Sequence, residues 1–136
     1  MSLNILAVDD SRTIRDTLRI TLVSAGMMVT TADDGLHGLQ LLEQMDRPDA
    51  IISDINMPRL DGFGFIRAVR GIEHLRAVPI LVLTTESAPE LRARARDAGA
   101  TGWIAGLVNS HPRESVELFE LARAGKYAEA TRLYRW

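Results

Sequence analysis

Three aspartates stand at the ends of two apolar runs and could together form an acidic site. Asp9 and Asp10 follow an apolar run at residues 3–8, and Asp54 follows another at residues 50–53. In a parallel sheet the carboxyl ends of neighbouring strands open on one edge, so these carboxylates can meet there. Like charges at close range repel each other unless a cation lies among them, and oxygen ligands favour Mg²⁺ or Mn²⁺ over softer metals. The spacing therefore predicts a divalent cation site.

Length and composition limit the class of protein. The 136 residues are enough for one domain with one hydrophobic core. The 16 basic and 18 acidic residues give a formal net charge of -2, which favours neither nucleic acid nor a membrane surface as a partner. The chain has no cysteine, which excludes disulfides and thiolate metal sites, and it has no apolar run long enough to span a bilayer. We expect a soluble, cytoplasmic protein.

The apolar pattern predicts five successive βα units. Short apolar runs alternate with stretches of helical period, which is typical of a parallel sheet with helices on both faces. Ser11 is the expected N-cap of the first helix, and Gly26 is its expected stop. The later strands are expected at 28–32, 50–54, 80–83 and 102–105. Leu36, Leu39 and Leu42 mark the second helix, and the residues expected to face the core in later helices are Phe63, Ile66, Val69, Leu91, Ala95 and Ala98.

Residues 3–104 resemble the receiver domain of two-component response regulators, the CheY-like family. The motifs that carry the resemblance are Asp9-Asp10, Asp54-Ile55-Asn56-Met57-Pro58, Asp61-Gly62, the hydroxyl of Thr84, and Ala98-Gly99-Ala100-Thr101-Gly102-Trp103. Their order and spacing together are highly specific. The resemblance implies an α/β, flavodoxin-like doubly wound fold with a five-stranded parallel sheet and helices on both faces. Helical stretches at 112–124 and 126–135 would add an extra C-terminal helix.

The resemblance also implies how the acidic site would work. Asp54 would accept a phosphoryl group from a sensor histidine kinase. Asp9 and Asp10 would hold Mg²⁺ or Mn²⁺, joined by the carboxylate of Asp54 and the backbone carbonyl of Asn56. A divalent ion would draw off charge that otherwise keeps a carboxylate from attacking an anionic phosphoryl donor. The implied function is signal transduction without enzymatic turnover, through contacts with a downstream protein that the sequence does not name.

Three further positions concern the response to phosphorylation. Thr84 would hydrogen-bond the new phosphoryl oxygen, and Trp103 stands where the family places an aromatic residue whose rotation reports activation. The family's lysine at the end of the fifth strand is absent, because Gly106-Leu107 stands in place of the lysine and proline. The loss removes a charge-assisted contact of about 1.5–3 kcal/mol with the phosphorylated aspartate. The lifetime of the phosphorylated state and its coupling to conformation are therefore left open.

A second resemblance begins at residue 102. Residues 102–109, 112–115 and 122–127 are similar to the last βα unit of the dihydrodipicolinate synthase family of (βα)₈ barrels. None of that family's catalytic lysine or tyrosine motifs is present, so this match implies the ancestry of a segment and no aldolase activity. Two hypotheses stay open: a chimera, natural or constructed, with an exchanged barrel unit, and an ordinary receiver with a drifted C-terminus. In both, residues 1–136 form one domain, with 1–104 receiver-like and 105–136 divergent or exchanged.

Three functions are compatible with these residues. The first is a receiver that is phosphorylated on Asp54 and then changes its affinity for a partner. The second is a degenerate receiver that serves as a binding module and does not switch. The third, a Mg²⁺-dependent phosphohydrolase with Asp54 or Asp9 as nucleophile, is disfavoured because the first strand ends in Asp9-Asp10-Ser11-Arg12 and not in Asp-x-Asp. The one lysine of the chain, Lys126, also lies in the tail.

The remaining patterns predict surface features. An apolar stripe on the last helical stretch predicts a homodimer, and Asp61-Gly62 is expected to form a turn. Three histidines lie on separate elements without ligand spacing, and three arginines alternate with acids on what we expect to be a solvated helix face. The stripe is Tyr127, Ala130, Leu133 and Tyr134, the histidines are His37, His74 and His111, and the arginines are Arg92, Arg94 and Arg96.

Overall fold

In the part of the chain that the structure describes, a five-stranded parallel sheet has helices on both faces. The computed structural model describes residues 3–84 and 89–105, with the side chains of residues 84 and 103–105 outside the description. The strands are β1 (Asn4–Val8), β2 (Met28–Ala32), β3 (Ala50–Asp54), β4 (Ile80–Thr84) and β5 (Gly102–Ala105). They lie in the order β2-β1-β3-β4-β5, and every neighbouring pair is parallel. The predicted fold class is confirmed.

Within the described ranges, four α-helices and one short 3₁₀-helix lie between the strands. The α-helices are α1 (Arg12–Ser24), α2 (Gly35–Gln44), α3 (Gly62–Arg70) and α4 (Pro89–Ala98), and the 3₁₀-helix is Glu73–Leu75. Each of the first three α-helices begins at a side-chain cap. The caps are Ser11, Asp34 and Asp61, which accept the backbone N–H of Ile14, His37 and Gly64. The predicted cap at Ser11 is confirmed, and Asp61, expected only to form a turn, is an N-cap as well.

Alternate side chains of the strands enter two separate hydrophobic cores. Leu6, Val8, Ile51 and their neighbours pack with α3 and α4, while Ile5, Ala7, Ile52 and their neighbours pack with α1. The predicted inward residues of α3 and α4 are confirmed for Phe63, Ile66, Val69, Ala95 and Ala98, and Leu91 is partly buried against the same core.

Helix α2 is present where the spacing of Leu36, Leu39 and Leu42 predicts it, but Leu36 itself is 39% exposed. The inner face of α2 instead contains Gly35 and Gly38, and a Cβ at Gly38 would lie 2.9 Å from the ring of Phe65. The small residues leave room for Phe65, which is fully buried and was not anticipated. The Ser87 start predicted for α4 lies outside the described residues, as do the helical stretches predicted at 112–124 and 126–135.

Gly62 makes a close backbone contact behind the phosphoacceptor candidate, and its replacement should be costly. A Cβ at Gly62 would clash with the carbonyl oxygen of Asp54 and would lie 2.8 Å from the Cα of Ile55. Because backbone cannot yield as a flexible side chain does, we expect Gly62→Ala to lower the free energy of unfolding by about 1–3 kcal/mol, as overpacking does elsewhere. Urea denaturation measures this change.

Gly71→Ala is the matched control for that substitution. The nearest atom to a Cβ at Gly71 lies 3.4 Å away, which is ordinary contact distance. We expect this variant to stay within about 0.5 kcal/mol of the parent, as surface substitutions usually do. Equal stabilities for the two variants would contradict the close contact at Gly62.

Candidate functional site

Asp9, Asp10 and Asp54 meet at the carboxyl edge of the sheet. The register pairs Val8 of β1 with Ser53 of β3, so the residue after each lies at the same level of the sheet. One carboxylate oxygen from each aspartate lies within 4.8 Å of the others. Asp9 is only 1% exposed, Asp54 is half-buried, and Asp10 faces the solvent. Among the residues that the structure describes, this is the one group of acids, histidines or cysteines able to hold a metal ion.

Hydrogen bonds from three directions fix Asp9. Its backbone N–H donates to the carbonyl oxygen of Ala32 over 3.1 Å, which ties it to the end of β2. The N–H of Ser11 donates to its Oδ1 over 2.8 Å, and Nη1 of Arg15 donates to its carbonyl oxygen over 2.7 Å. These bonds orient one carboxylate oxygen towards the protein. The position of Asp9 is therefore set before any ligand binds.

The other oxygen of Asp9 indicates what the site can bind. Oδ2 of Asp9 is the buried side-chain polar atom that has no hydrogen-bond partner within the described part of the chain. Burying a carboxylate oxygen without a partner is costly, and such atoms usually have a ligand, an ion or water nearby. With Asp10 and Asp54 beside it, the donor set is all oxygen, which suits a hard divalent cation. The residues present therefore fit Mg²⁺ or Mn²⁺.

Asp54 is held at the end of β3 with an unusual affinity for protons. The N–H of Ile55 donates to its Oδ1 over 2.8 Å, and Oγ of Ser53 donates to its carbonyl oxygen over 2.9 Å. Burial, followed by the negative charge of Asp9, raises the pKa of Asp54 to about 7. Burial is also the main reason why the pKa of Asp9 lies above its ordinary value. Without a cation, Asp54 therefore keeps its proton at pH values where most carboxylates have released theirs.

The raised pKa of Asp54 predicts how stability changes with pH in the metal-free protein. The group titrates near its ordinary pKa of 3.8 when unfolded and near 7 when folded, so the folded state binds the proton more tightly. Its contribution is fully present below pH 3.8 and is lost as pH rises through 7. We expect the free energy of unfolding in EDTA, measured with urea, to fall over this window relative to Asp54→Asn. Parallel pH profiles for parent and variant would contradict this assignment.

For Thr84 and Trp103, two other predicted site residues, the structure describes the backbone and not the side chain. Asn56 is exposed in the loop that follows β3, two residues after Asp54. Thr84 ends β4 at the same edge, directly after Leu83, which pairs with Asp54. Trp103 lies in β5 opposite Val82. The side chains of Thr84 and Trp103, and all of Gly106, lie outside the described residues, so their roles stay predictions.

Two arginines near the site were not anticipated from the sequence. Arg15 contacts the backbone of Asp9, and Arg59 forms an ion pair with Asp34. Arg15 stands four residues after the cap at Ser11, a helical spacing that could have suggested a contact with the preceding loop. Nothing in the sequence signals the pair formed by Arg59, because 25 residues separate its two members.

The structure describes two of the three predicted surface histidines and an arginine contact on α4. The Nδ1 atom of His37 lies 3.0 Å from Oδ1 of Asp33, and His74 lies on the 3₁₀-helix, while His111 lies outside the described residues. Arg94 is exposed, but its guanidinium lies 4.2 Å from the ring centroid of Phe63, so it packs against α3.

Within the described ranges, each helix is too short or too polar to cross a membrane.

Comparisons with known proteins identify the family. The family model of the response regulator receiver domain matches residues 5–110. The response regulator MprA of Mycobacterium tuberculosis is 42% identical over 104 residues, which is 76% of this chain and 44% of MprA. The chain thus spans less than half the length of the curated relatives it matches.

Solved structures agree in fold. The chemotaxis protein CheY4 of Vibrio cholerae is 41% identical, with a TM-score of 0.79 over 90% of this chain and 98% of CheY4. The receiver domain of sensor histidine kinase PA1611 from Pseudomonas aeruginosa, which has a magnesium ion coordinated in its active site cleft, is 30% identical. Its TM-score is 0.76, over 91% of this chain and 97% of that domain. With these matches and the acidic edge of its sheet, the chain belongs to the family of response regulator receiver domains of two-component systems.

Proposed function

We propose that this receiver domain accepts a phosphoryl group on Asp54 in a Mg²⁺-dependent reaction and signals through contacts with other proteins. The observation that carries the proposal is the convergence of three carboxylates, one of which has a buried and unpartnered oxygen. Receiver domains as a family take phosphoryl groups from sensor histidine kinases, so such a kinase is the proposed phosphodonor.

Asp9, Asp10 and Asp54 would hold the cation, together with the backbone carbonyl of Asn56. The magnesium ion in the related PA1611 receiver supports Mg²⁺ as the natural ligand. When bound, the cation would neutralise part of the charge that develops on the phosphoryl oxygens. Mn²⁺ is the expected substitute, because it also prefers oxygen ligands.

The chain's own residues would prepare Asp54 for the reaction. The hydrogen bond from the N–H of Ile55 sets the rotation of the carboxylate. Because the pKa of Asp54 is about 7 without a cation, its proton must leave before the group can act as a nucleophile. A carboxylate oxygen then forms a bond to phosphorus while the bond from phosphorus to the imidazole nitrogen of the kinase breaks. Thr84, at the end of the adjacent β4, would donate to the transferred group.

Incubation with a small phosphodonor tests the proposal directly. We expect the protein with Mg²⁺ and either acetyl phosphate or phosphoramidate to gain one phosphoryl group by intact mass. The matched reaction contains EDTA in place of Mg²⁺, and it should give no adduct. A folded protein that binds Mg²⁺ yet gains no phosphoryl group would contradict the proposal.

A receiver that binds partners without switching is the second candidate, and the absence of the family lysine at Gly106 favours it. The two candidates differ in how the domain responds once it is phosphorylated. The chain has two tryptophans, so the test uses a Trp136→Phe background in which the fluorescence reports Trp103 alone. A spectral change on phosphorylation supports the switching receiver, whereas an adduct without any change supports the binding module.

A Mg²⁺-dependent phosphohydrolase is the remaining alternative, and it predicts a different time course. Such an enzyme would turn over a phosphate ester continuously, and Asp54→Asn would abolish the turnover. A receiver holds at most one adduct per chain, and it consumes further phosphodonor only as fast as that adduct is hydrolysed and Asp54 becomes free again.

The end of the chain carries two predictions that lie outside the described residues. The homodimer through Tyr127, Ala130, Leu133 and Tyr134 is tested by sedimentation, where a monomer at all concentrations would remove it. The genomic reading frame tests the exchanged barrel unit, because it shows whether the segment after residue 104 is encoded in the gene or was joined to it in a constructed chimera. The receiver family match itself continues through residue 110, past the start of the barrel resemblance at residue 102.

A further inference from the structure

We infer that the ion pair between Arg59 and Asp34 is a latch that holds the loop after Asp54 in its cation-binding position. Arg59 is then a positioning residue of the acidic site, although it does not belong to the site itself. This inference rests on the proposed function, because it explains how the proposed cation ligands are kept in place. We call residues 55–61 the β3–α3 loop and the Arg59–Asp34 pair the latch.

The β3–α3 loop contains a strained turn centred on Arg59. Its φ is +64°, and among the described residues it is the one non-glycine residue with a positive φ. The N–H of Leu60 donates to the carbonyl oxygen of Pro58 over 2.7 Å, which closes a three-residue γ-turn. A side chain rarely adopts this conformation, and it persists only where the surroundings hold it. The turn therefore requires a restraint.

The side chain of Arg59 supplies that restraint. Its Nε donates to Oδ2 of Asp34 over 2.6 Å, and its Nη2 donates to Oδ1 over 3.0 Å, so the pair is bidentate. Asp34 is 4% exposed and also caps α2, where its Oδ1 accepts the N–H of His37 over 2.8 Å. The hydrogen bonds from Arg59 keep the pKa of Asp34 below its ordinary value. A buried carboxylate fixed by its own helix is a rigid anchor for the loop.

Backbone contacts continue the same attachment. The N–H of Gly35 donates to the carbonyl oxygen of Leu60 over 3.2 Å. A Cβ at Gly35 would lie 2.6 Å from that oxygen, so the loop sits directly on the first turn of α2. Side-chain and backbone bonds thus join two successive loop residues, Arg59 and Leu60, to two successive residues at the start of α2, Asp34 and Gly35.

The latch connects the two segments that carry the acidic site. Asp34 lies two residues after Ala32, whose carbonyl oxygen accepts the N–H of Asp9. The β3–α3 loop begins directly after Asp54 and contains Asn56, whose carbonyl is a proposed cation ligand. Loosening the latch should therefore displace the ligands at the β3 end relative to Asp9.

Whether Arg59→Gln raises or lowers the affinity for Mg²⁺ distinguishes the latch from a purely electrostatic effect of Arg59. Arg59→Gln removes a positive charge from the loop that contains a proposed cation ligand, so Coulomb's law alone predicts Mg²⁺ binding that is tighter, never weaker. The latch predicts weaker binding, because the turn relaxes and the ligands separate. Arg47→Gln is the matched control, since it removes the same charge from an exposed position at the opposite edge of the sheet.

The experiment measures Mg²⁺ affinity by calorimetry for the parent, Arg59→Gln, Arg59→Lys, Asp34→Asn and the Arg59→Gln/Asp34→Asn double variant. Asparagine also caps helices, so Asp34→Asn removes the charge and keeps α2 capped. We expect each single variant to bind Mg²⁺ about three- to tenfold more weakly, and the double variant to be no worse than Arg59→Gln, as for two members of one interaction. Arg59→Lys should not restore the Mg²⁺ affinity of the parent, because lysine cannot form the bidentate pair with Asp34.

Hydrogen exchange of the metal-free protein gives a second readout that does not depend on the proposed function. Peptides covering residues 55–61 should exchange faster in Arg59→Gln than in the parent or in Arg47→Gln. If the parent failed to bind Mg²⁺, the proposed function would fail, while exchange would still decide whether the latch holds the loop. Unchanged exchange in the β3–α3 loop, or tighter Mg²⁺ binding by Arg59→Gln, would overturn the latch.

Discussion

Replacing Asp54 with asparagine should reduce the phosphoryl adduct formed with acetyl phosphate and Mg²⁺ to an undetectable level. A carboxamide oxygen is a poor nucleophile, and the other carboxylates of the cluster would be engaged with the cation. Intact mass after incubation measures the adduct. This is the largest effect that we expect from a single substitution, because it removes the reacting atom itself.

Two controls make this result specific to the carboxylate of Asp54. Asp46→Asn is the matched control, since Asp46 is exposed and lies beyond the end of α2. It should be labelled like the parent. The Asp54→Asn variant should also be at least as stable as the parent at neutral pH in EDTA, because it removes a carboxylate that burial and Asp9 both disfavour. An adduct that persists in folded Asp54→Asn would place the phosphoryl group elsewhere.

Asp9→Asn should have two opposite effects that depend on Mg²⁺. Losing a group that merely orients a metal ligand costs about 10–100-fold in affinity, so losing a buried ligand should weaken Mg²⁺ binding at least as much. Without metal the variant should be more stable than the parent, because Oδ2 of Asp9 is buried without a partner and its charge opposes that of Asp54. Thermal unfolding in EDTA and in saturating Mg²⁺ measures both effects.

These opposite effects, higher stability without metal and weaker stabilisation by Mg²⁺, distinguish a cation ligand from a carboxylate that only stabilises the fold. The parent should gain stability when Mg²⁺ is added, because a ligand that binds only the folded state stabilises it. In EDTA, Asp9→Asn should be more stable than the parent, and it should gain less stability than the parent when Mg²⁺ is added. A variant that is less stable than the parent in EDTA would mean that Asp9 stabilises the fold through contacts that do not involve a cation. Asp46→Asn should respond to Mg²⁺ as the parent does.

The sequence predicted the architecture and the acidic cluster because both depend on short-range patterns. Apolar runs marked the strands, and Ser11 marked the start of α1. In a parallel sheet the residues after neighbouring strands must share one edge, so the meeting of Asp9 and Asp54 needed no tertiary detail. The raised pKa of Asp54 could not be predicted in the same way, since it depends on the depth at which the side chain is buried.

The contacts that the sequence did not reveal depend on the arrangement of separate helices and loops. Leu36 fits the helical period of α2, but its face turns outward because Gly38 admits the ring of Phe65 from α3. The pair of Arg59 with Asp34 joins two loops, and the positive φ of Arg59 is a backbone state that its residue type disfavours. Such features arise from packing between elements, which periodicity alone does not encode.

Chemical mapping of the phosphoryl adduct shows whether Asp54 is the phosphoacceptor. Borohydride reduces an aspartyl phosphate to homoserine, so peptide mass spectrometry after reduction locates the modified residue. We expect homoserine at position 54 after treatment with acetyl phosphate and Mg²⁺, and none when EDTA replaces Mg²⁺. Homoserine at position 9 or 10, or an adduct on another residue type, would contradict the account.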